Sequence, residues 1–202
     1  MPETAAWISA TFGLLGVVVG SILTLAKDWF FQHKKNSKDS EYLAIQVSCL
    51  LDQYVSGCSD VVGDDGLCQG QTNRSGYHEA QVAVPHFEPN LLAVEWKSLP
   101  ADLMSEVLSL PFKAKQVAEW LAGVSQYSEP PEYEEWFEER QYQYAQLGIE
   151  AASLAERLRD HVKVRFQPLV DWDPVAYMRR RKEEIEQRKK ERDEINRLSP
   201  LS

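Results

Sequence analysis

Four of the seven cysteine and histidine residues of this chain, whose side chains can bind metal ions, fall in one stretch: Cys58, Cys68, His78 and His86. Two thiolates and two imidazoles form a ligand set that Zn²⁺ accepts. Nine, nine and seven residues separate them, however, whereas compact zinc sites use much shorter spacings within each ligand pair. This spacing favours a core position for Cys58 and loop positions for the others. The sequence therefore predicts no metal and no other cofactor.

Carboxylates form a second set of reactive groups, at Asp64-Asp65 and in a cluster that comprises Glu132, Glu134, Glu135, Glu138 and Glu139. A catalytic acid needs a cleft that shifts its pKa, whereas acids at the start of a helix are explained by the positive end of the helix dipole. The sequence also lacks a P-loop, a dinucleotide fingerprint, an HExxH motif, a nucleophile elbow and a CxxC pair. We therefore predict no catalytic residues and no enzyme activity.

Aromatic residues lie among these acids. Tyr133, Trp136, Glu135 and Glu139 could form a surface of aromatic rings and charges for a protein partner, and we name these four residues the predicted partner surface. The alternative is that the aromatic rings belong to the core of the fold.

Helical periodicity positions these residues. Apolar residues that recur at steps of three and four predict helices at about 39–62, 100–110, 112–127, 132–164 and 173–198. Pro111 is predicted to form a corner between two of them, and residues 63–95 an irregular loop. In the longest helix, positions 137, 144, 151 and 158 repeat every seven residues, as in a coiled coil, although Arg140 and His161 interrupt the seam. This seam could pair within one chain or between chains.

The last predicted helix begins with Asp173 as a cap and Pro174 in the first turn, and it is almost entirely charged. Such a helix cannot lie in a core. It could project into solvent, dock on a partner or fold back on the acidic body of its own chain.

An apolar run from Ala5 to Ala26 contains no charged residue and no histidine over 22 residues. A helix of this length spans roughly 33 Å, which is enough to cross a hydrocarbon core of about 30 Å. A cleaved signal peptide is the main alternative, but the residues before the run include no Lys or Arg, and no small-residue cleavage site follows it. We predict an uncleaved single-pass anchor.

The flanks of this run predict its orientation. Lys27, Lys34, Lys35 and Lys38 follow the run, where they could contact lipid head groups, and only Glu3 precedes it. The positive-inside rule then leaves the N-terminus outside and the rest of the chain in the cytoplasm, attached to the plasma (inner) membrane. Three cysteines, an odd number, fit a reducing compartment.

Small residues recur on one side of the predicted anchor. Ser9, Gly13, Gly16 and Gly20 fall at steps of three and four, and such a face allows two membrane helices to approach closely. We expect a homo-oligomer, although glycine is also simply common in membrane helices.

Charge is distributed unevenly along the chain, whose formal net charge is −9. Residues 39–178 contain 9 basic and 23 acidic side chains, whereas residues 179–202 contain 9 basic and 6 acidic ones. An acidic body repels nucleic acid and anionic lipid surfaces, so we expect no nucleic-acid partner and favour a basic protein partner.

The predicted fold class is all-α, with one transmembrane helix followed by a cytosolic helical bundle. The predicted organisation is a short N-terminus at 1–4, the anchor at 5–26, a basic juxtamembrane segment at 27–38, an acidic helical domain at 39–172, and a charged helix and tail at 173–202. The leading functional hypothesis is a membrane-anchored interaction or scaffold protein. The alternatives are an effector that perturbs membranes in defence or lysis and, less favoured, a tethered metal-binding or enzymatic domain.

Overall fold

A computed structural model of the chain describes residue 27 and residues 37–165 and 171–198. This part of the chain is all-helical and contains no strand, as the sequence predicts. No helix among the described residues is both long and apolar enough to cross a membrane. The predicted anchor at 5–26 lies outside the described residues.

Four α-helices and two short 3-10 helices make up the described fold. They are α1, helical over residues 37–63, the 3-10 helices Pro89–Leu91 and Trp96–Ser98, α2 at Ala101–Val124, α3 at Glu134–Val162 and α4 at Pro174–Leu198. Between α1 and α2 the chain is irregular apart from the two 3-10 helices, with one isolated backbone bridge between Cys68 and Gln71. α1 is helical at residue 37, two residues before the approximate start that the sequence predicts.

α1 supplies the largest share of the core through one apolar face. Leu43, Val47, Leu51, Tyr54 and Cys58 are all at most 2% exposed. Their spacing of three and four residues places them in one stripe, and burying each large side chain stabilises the fold by roughly 1.5–3 kcal/mol.

α2 runs through Pro111 without a break, so the predicted corner is wrong. A proline inside a helix removes one backbone hydrogen bond and costs about 3 kcal/mol. Leu110 before it and Leu121 after it are both buried, so packing on the rest of the bundle holds the two halves in one helix. Trp120 is 58% exposed, and its indole N–H donates a hydrogen bond of 2.9 Å to the carboxylate of Glu139.

α3 is the central helix, and the other three helices run antiparallel to it. Against α1, His161 lies 3.2 Å from Ser40 and Arg140 bonds Asp64. Against α2, Arg157 pairs with Asp102, and Trp120 bonds Glu139. The predicted seam residues Phe137, Tyr144, Ala151 and Leu158 are buried within this one chain. The seam therefore pairs inside the bundle.

α4 begins as the sequence predicts and then folds back along α3. The Asp173 carboxylate accepts hydrogen bonds from the backbone N–H groups of Val175 and Ala176, at 2.9 and 3.0 Å. Met178 and Ile185 are fully buried, and Met178 lies against Gly148 of α3. Of the predicted placements, the structure has the one in which the helix packs on its own acidic body.

The bundle has two ends that differ in their relation to the predicted anchor. We name the end with residues 37–40 the near end and the end with Asp64 and Arg140 the far end. α1 joins them, and its 27 residues at 1.5 Å each give a separation of about 40 Å. The near end holds residue 37, which follows the predicted anchor in the sequence.

Candidate functional site

A buried ion pair organises the far end of the bundle. Arg140 of α3 donates a hydrogen bond of 2.9 Å to Asp64 at the end of α1, and the two side chains are only 3% and 1% exposed. A second guanidinium nitrogen of Arg140 donates to the carbonyl oxygen of Val82 at 2.6 Å. The interpretation of Arg140 as a weak point of the α3 seam is therefore wrong, because its charge is paired inside the fold.

Backbone groups of the loop complete the binding of Asp64. Its carboxylate accepts hydrogen bonds from the N–H groups of Gly66, Gln81 and Val82, at 2.9 to 3.0 Å. Burial alone would raise the pKa of Asp64, but the N–H groups of Val82 and Gly66 and the guanidinium of Arg140 outweigh it and lower that pKa. Asp64 thus holds the loop onto α3 as a carboxylate.

Gln141 links this network to α4. Its side-chain N–H donates to the carbonyl oxygen of Asp64 at 2.8 Å, and its side-chain oxygen accepts bonds of 3.0 and 3.2 Å from Arg181 of α4. Gly66 comes so close to the ring of Phe137 that a Cβ atom there would overlap it. The loop, α3 and α4 therefore meet at one place.

Two neighbouring carboxylates of α3 lie beneath α4. Glu138 is 5% exposed and contacts the guanidinium groups of Arg192 and Arg188, the latter at 3.4 Å. Glu139 accepts a bond of 2.6 Å from Lys189. Trp120 and Gln143 also donate to Glu139, at 2.9 and 2.7 Å. We name Glu138 and Glu139 the covered acidic pair.

Hydrogen bonds to the charged form lower the pKa of Glu139. Burial opposes this shift, but the bonds from Gln143, Lys189 and Trp120 outweigh it. Glu139 is consequently ionised near neutral pH and attracts the cations of α4.

An aromatic ring extends the contact between α3 and α4. The ammonium groups of Lys189 and Lys182 lie 4.5 and 5.4 Å from the centre of the Tyr142 ring. The Tyr142 hydroxyl donates to Glu186 at 3.1 Å. Charge and hydrogen bonding thus dominate the α3–α4 contact beyond Ile185.

An open cleft of about 250 Å³ adjoins this contact at the far end. Phe137 and His78 line it together with Asp65, Glu132, Glu134 and Arg181. The His78 ring nitrogen Nδ1 is 3.0 Å from the carbonyl oxygen of Asp65, and the ring meets Phe137 edge-on at 6.1 Å. Glu138 and Arg188 also line the cleft, so its lining carries four carboxylates and two guanidinium groups, an excess of negative charge that favours a cationic group.

The predicted partner surface lies at this far end. Glu135 is exposed, and Tyr133 and Trp136 are half-buried. The Trp136 ring packs edge-on against Phe137 at 4.8 Å, and the guanidinium of Arg140 lies 5.5 Å from its centre. Glu139 differs from the other three because α4 covers it. The role of these residues in binding stays a prediction.

The structure does not bring the four metal-ligand candidates into a site. No group of three or more His, Cys, Asp and Glu in the described ranges could hold a metal ion. Burial raises the pKa of Cys58 to about 12, which keeps this thiol protonated and unsuited to metal binding. Cys68 is exposed in the loop, and His86 is also exposed.

Six of the eight residues predicted to act in or at the membrane lie outside the described residues: Ser9, Gly13, Gly16, Gly20, Lys34 and Lys35. Lys27 and Lys38 are helical and exposed.

Sequence reasoning missed an exposed aromatic face on α2. Phe112 is 62% exposed, Trp120 is 58% exposed, and Tyr127 just beyond the helix is 85% exposed. It also missed the Asp64–Arg140 pair, for which a signal existed: a charged residue at a seam position needs a buried partner.

No known family model, curated protein or solved structure matches this chain.

Proposed function

We propose that this protein is a membrane-anchored helical bundle whose far end binds a protein partner. The observation that carries the proposal is the position of the acidic and aromatic residues. They lie at the end of the bundle opposite the entry of the apolar run, about 40 Å away along α1. A tether at one end and an accessible surface at the other suit an adaptor or scaffold.

Charge and shape at the far end favour a basic partner. Glu132, Glu134 and Glu135 are exposed next to Trp136, and the cleft lies beside them. Aromatic residues are enriched at the centres of interfaces, and complementary charge raises the rate of encounter. A Lys or Arg side chain of a partner would find both an apolar surface and carboxylates here.

Anchoring and self-association are part of the same proposal. The run at 5–26 would span the plasma (inner) membrane, and Lys27, Lys34, Lys35 and Lys38 would lie near its inner head groups. The face with Ser9, Gly13, Gly16 and Gly20 would pair two copies of the chain, which would double the number of far ends at one place.

Site-specific photo-crosslinking in native membranes tests the binding surface. A photoreactive residue at position 135 should capture a protein partner. The same residue at position 41, an exposed glutamate at the near end, is the matched control and should not. Equal capture at both positions, or capture at 41 alone, would refute a far-end binding site.

Chemical crosslinking in membranes, with a reagent that does not react with cysteine, tests self-association. Gly16→Leu with Gly20→Leu should lower the dimer yield, because the added side chains keep the helices apart. Val18→Leu with Val19→Leu changes the opposite side of the run and should leave the yield unchanged. If the glycine variant dimerises like the wild type, this part of the proposal fails.

A further inference from the structure

Among the described residues of α4, the half beyond Ile185 has no buried apolar side chain. Met178 and Ile185 are its only buried residues in the described structure, and both lie in the half nearer to its start. Ile195 and Leu198 are 63% and 84% exposed. From residue 186 onward, the described contacts with α3 are ion pairs, a hydrogen bond and the contact of Lys189 with the Tyr142 ring.

These contacts involve three cations of α4 with a regular spacing. Arg188, Lys189 and Arg192 are at positions i, i+1 and i+4, and they pair with Glu138 and Glu139. The three cations are 37–45% exposed, and ion pairs between such groups contribute little stability and weaken with salt. The carboxylates, in contrast, are only 5% and 15% exposed because α4 lies over them.

We propose that the second half of α4 is a displaceable cover over the covered acidic pair, and that the far-end partner brings a basic helix that replaces it. This inference rests on the proposed function, because it names the chemistry of the partner. The cations of α4 define what fits: a helix with Arg or Lys at i, i+1 and i+4. While α4 is docked, the chain occupies its own binding site.

The fold allows such an exchange at low cost. Within the second half of α4, the side-chain N–H of Gln187 donates to Glu191 at 2.8 Å, and this i,i+4 contact supports the helix when it leaves α3. Met178 and Ile185 keep its first half attached, so the displaced part stays tethered. An incoming basic helix would satisfy the same two carboxylates, which therefore never remain buried without a cation.

A distance measurement in the full chain tests the cover. Spin labels at Asp60→Cys on α1 and Glu194→Cys on α4, with Cys49 and Cys68 changed to Ser, report whether the second half of α4 is docked. The probe is a peptide with the sequence of residues 174–198, and the control peptide has Gln at positions 188, 189 and 192. The probe should convert the single docked distance into a broad distribution, and the control peptide should not.

A charge reversal provides an independent comparison within the same helix. Arg188→Glu with Arg192→Glu should raise the ratio of undocked to docked α4 about tenfold at 0.1 M salt, since two attractive contacts become repulsive. Arg179→Glu with Arg180→Glu makes the same change of charge at exposed positions that do not pair with Glu138 or Glu139, and it should leave the ratio unchanged. A docked distance that neither the probe nor the reversal changes would overturn the proposal.

The two proposals fail in distinguishable ways. If the labels show no displacement but position 135 still captures a partner, the cover is refuted and the far-end site stands. If α4 is displaced by the probe but position 135 captures nothing, the cover stands and the proposed function is refuted.

Discussion

The two sides of α3 are held by different kinds of interaction. Toward α1 the contact is a continuous apolar core that includes Val47, Leu51 and Cys58, each fully buried. Toward the second half of α4 the contact consists of ion pairs and hydrogen bonds around Glu138 and Glu139. Packing between α1 and α3 therefore determines whether the chain folds, whereas the second half of α4 can move without unfolding the rest.

Gly148 marks the point on α3 where the two kinds of contact meet. A Cβ atom at this position would lie 2.8 Å from the Cβ of Cys58 on α1 and 2.5 Å from the sulfur of Met178 on α4. Only a glycine lets both helices come this close. The apolar packing of α4 extends from here to Ile185 and no further.

The largest expected effect comes from the buried ion pair on the α1 side. Arg140→Ala leaves the Asp64 charge buried without its cation and should lower the free energy of unfolding by about 3–5 kcal/mol. Denaturant unfolding followed by circular dichroism measures it. A loss below 1 kcal/mol would mean that this pair is no stronger than the surface pairs of α4.

A core truncation in α1 is expected to be nearly as severe. Leu51→Ala removes a fully buried side chain and should cost about 2–5 kcal/mol. Leu198→Ala is the matched control in α4, where the side chain is 84% exposed, and it should change the stability by less than about 0.5 kcal/mol. Similar losses for the two variants would contradict the contrast between the helices.

Acid should weaken the far end. The folded state lowers the pKa of Asp64 below the value of about 3.9 that it has when unfolded, so its contribution is complete above pH 4 and disappears as the pH falls through the folded pKa. The denaturant concentration at the midpoint of unfolding should therefore decrease when the pH is lowered below about 4. Asp64→Asn should be less stable at pH 7 and should show a smaller drop. An unchanged acid profile in that variant would refute the role of Asp64.

The smallest effect is expected from a single pair on the α4 side. Lys189→Gln removes one cation from the covered acidic pair and should cost at most about 1 kcal/mol of unfolding free energy, with a difference that shrinks in 1 M salt. Calorimetric or denaturant unfolding at 0.1 and 1 M salt measures this. A cost of several kcal/mol would mean that the α4 contact contributes as much to the free energy of unfolding as the α1 contact does.

Periodicity alone predicted the elements that form the apolar core. The seam of α3 at Phe137, Tyr144, Ala151 and Leu158 is buried as expected, because apolar spacing reports burial directly. The cap at Asp173 was also predictable, since it depends on adjacent residues only.

The errors arise where distant contacts override a local rule. Pro111 is a helix breaker by itself, but packing on either side of it keeps α2 continuous. Arg140 interrupts a seam when only α3 is considered, and its partner lies 76 residues earlier in the chain. The covered acidic pair could not be predicted because it exists only when α4 folds back on α3.

Amide hydrogen exchange of the full chain at 0.1 and 1 M salt compares how firmly α1 and the second half of α4 are held. Residues 186–198 should exchange much faster than residues 43–62, and high salt should widen this difference by accelerating exchange in α4 alone. Equal protection of α4 and α1, unaffected by salt, would contradict a helix that is held on the bundle by charge.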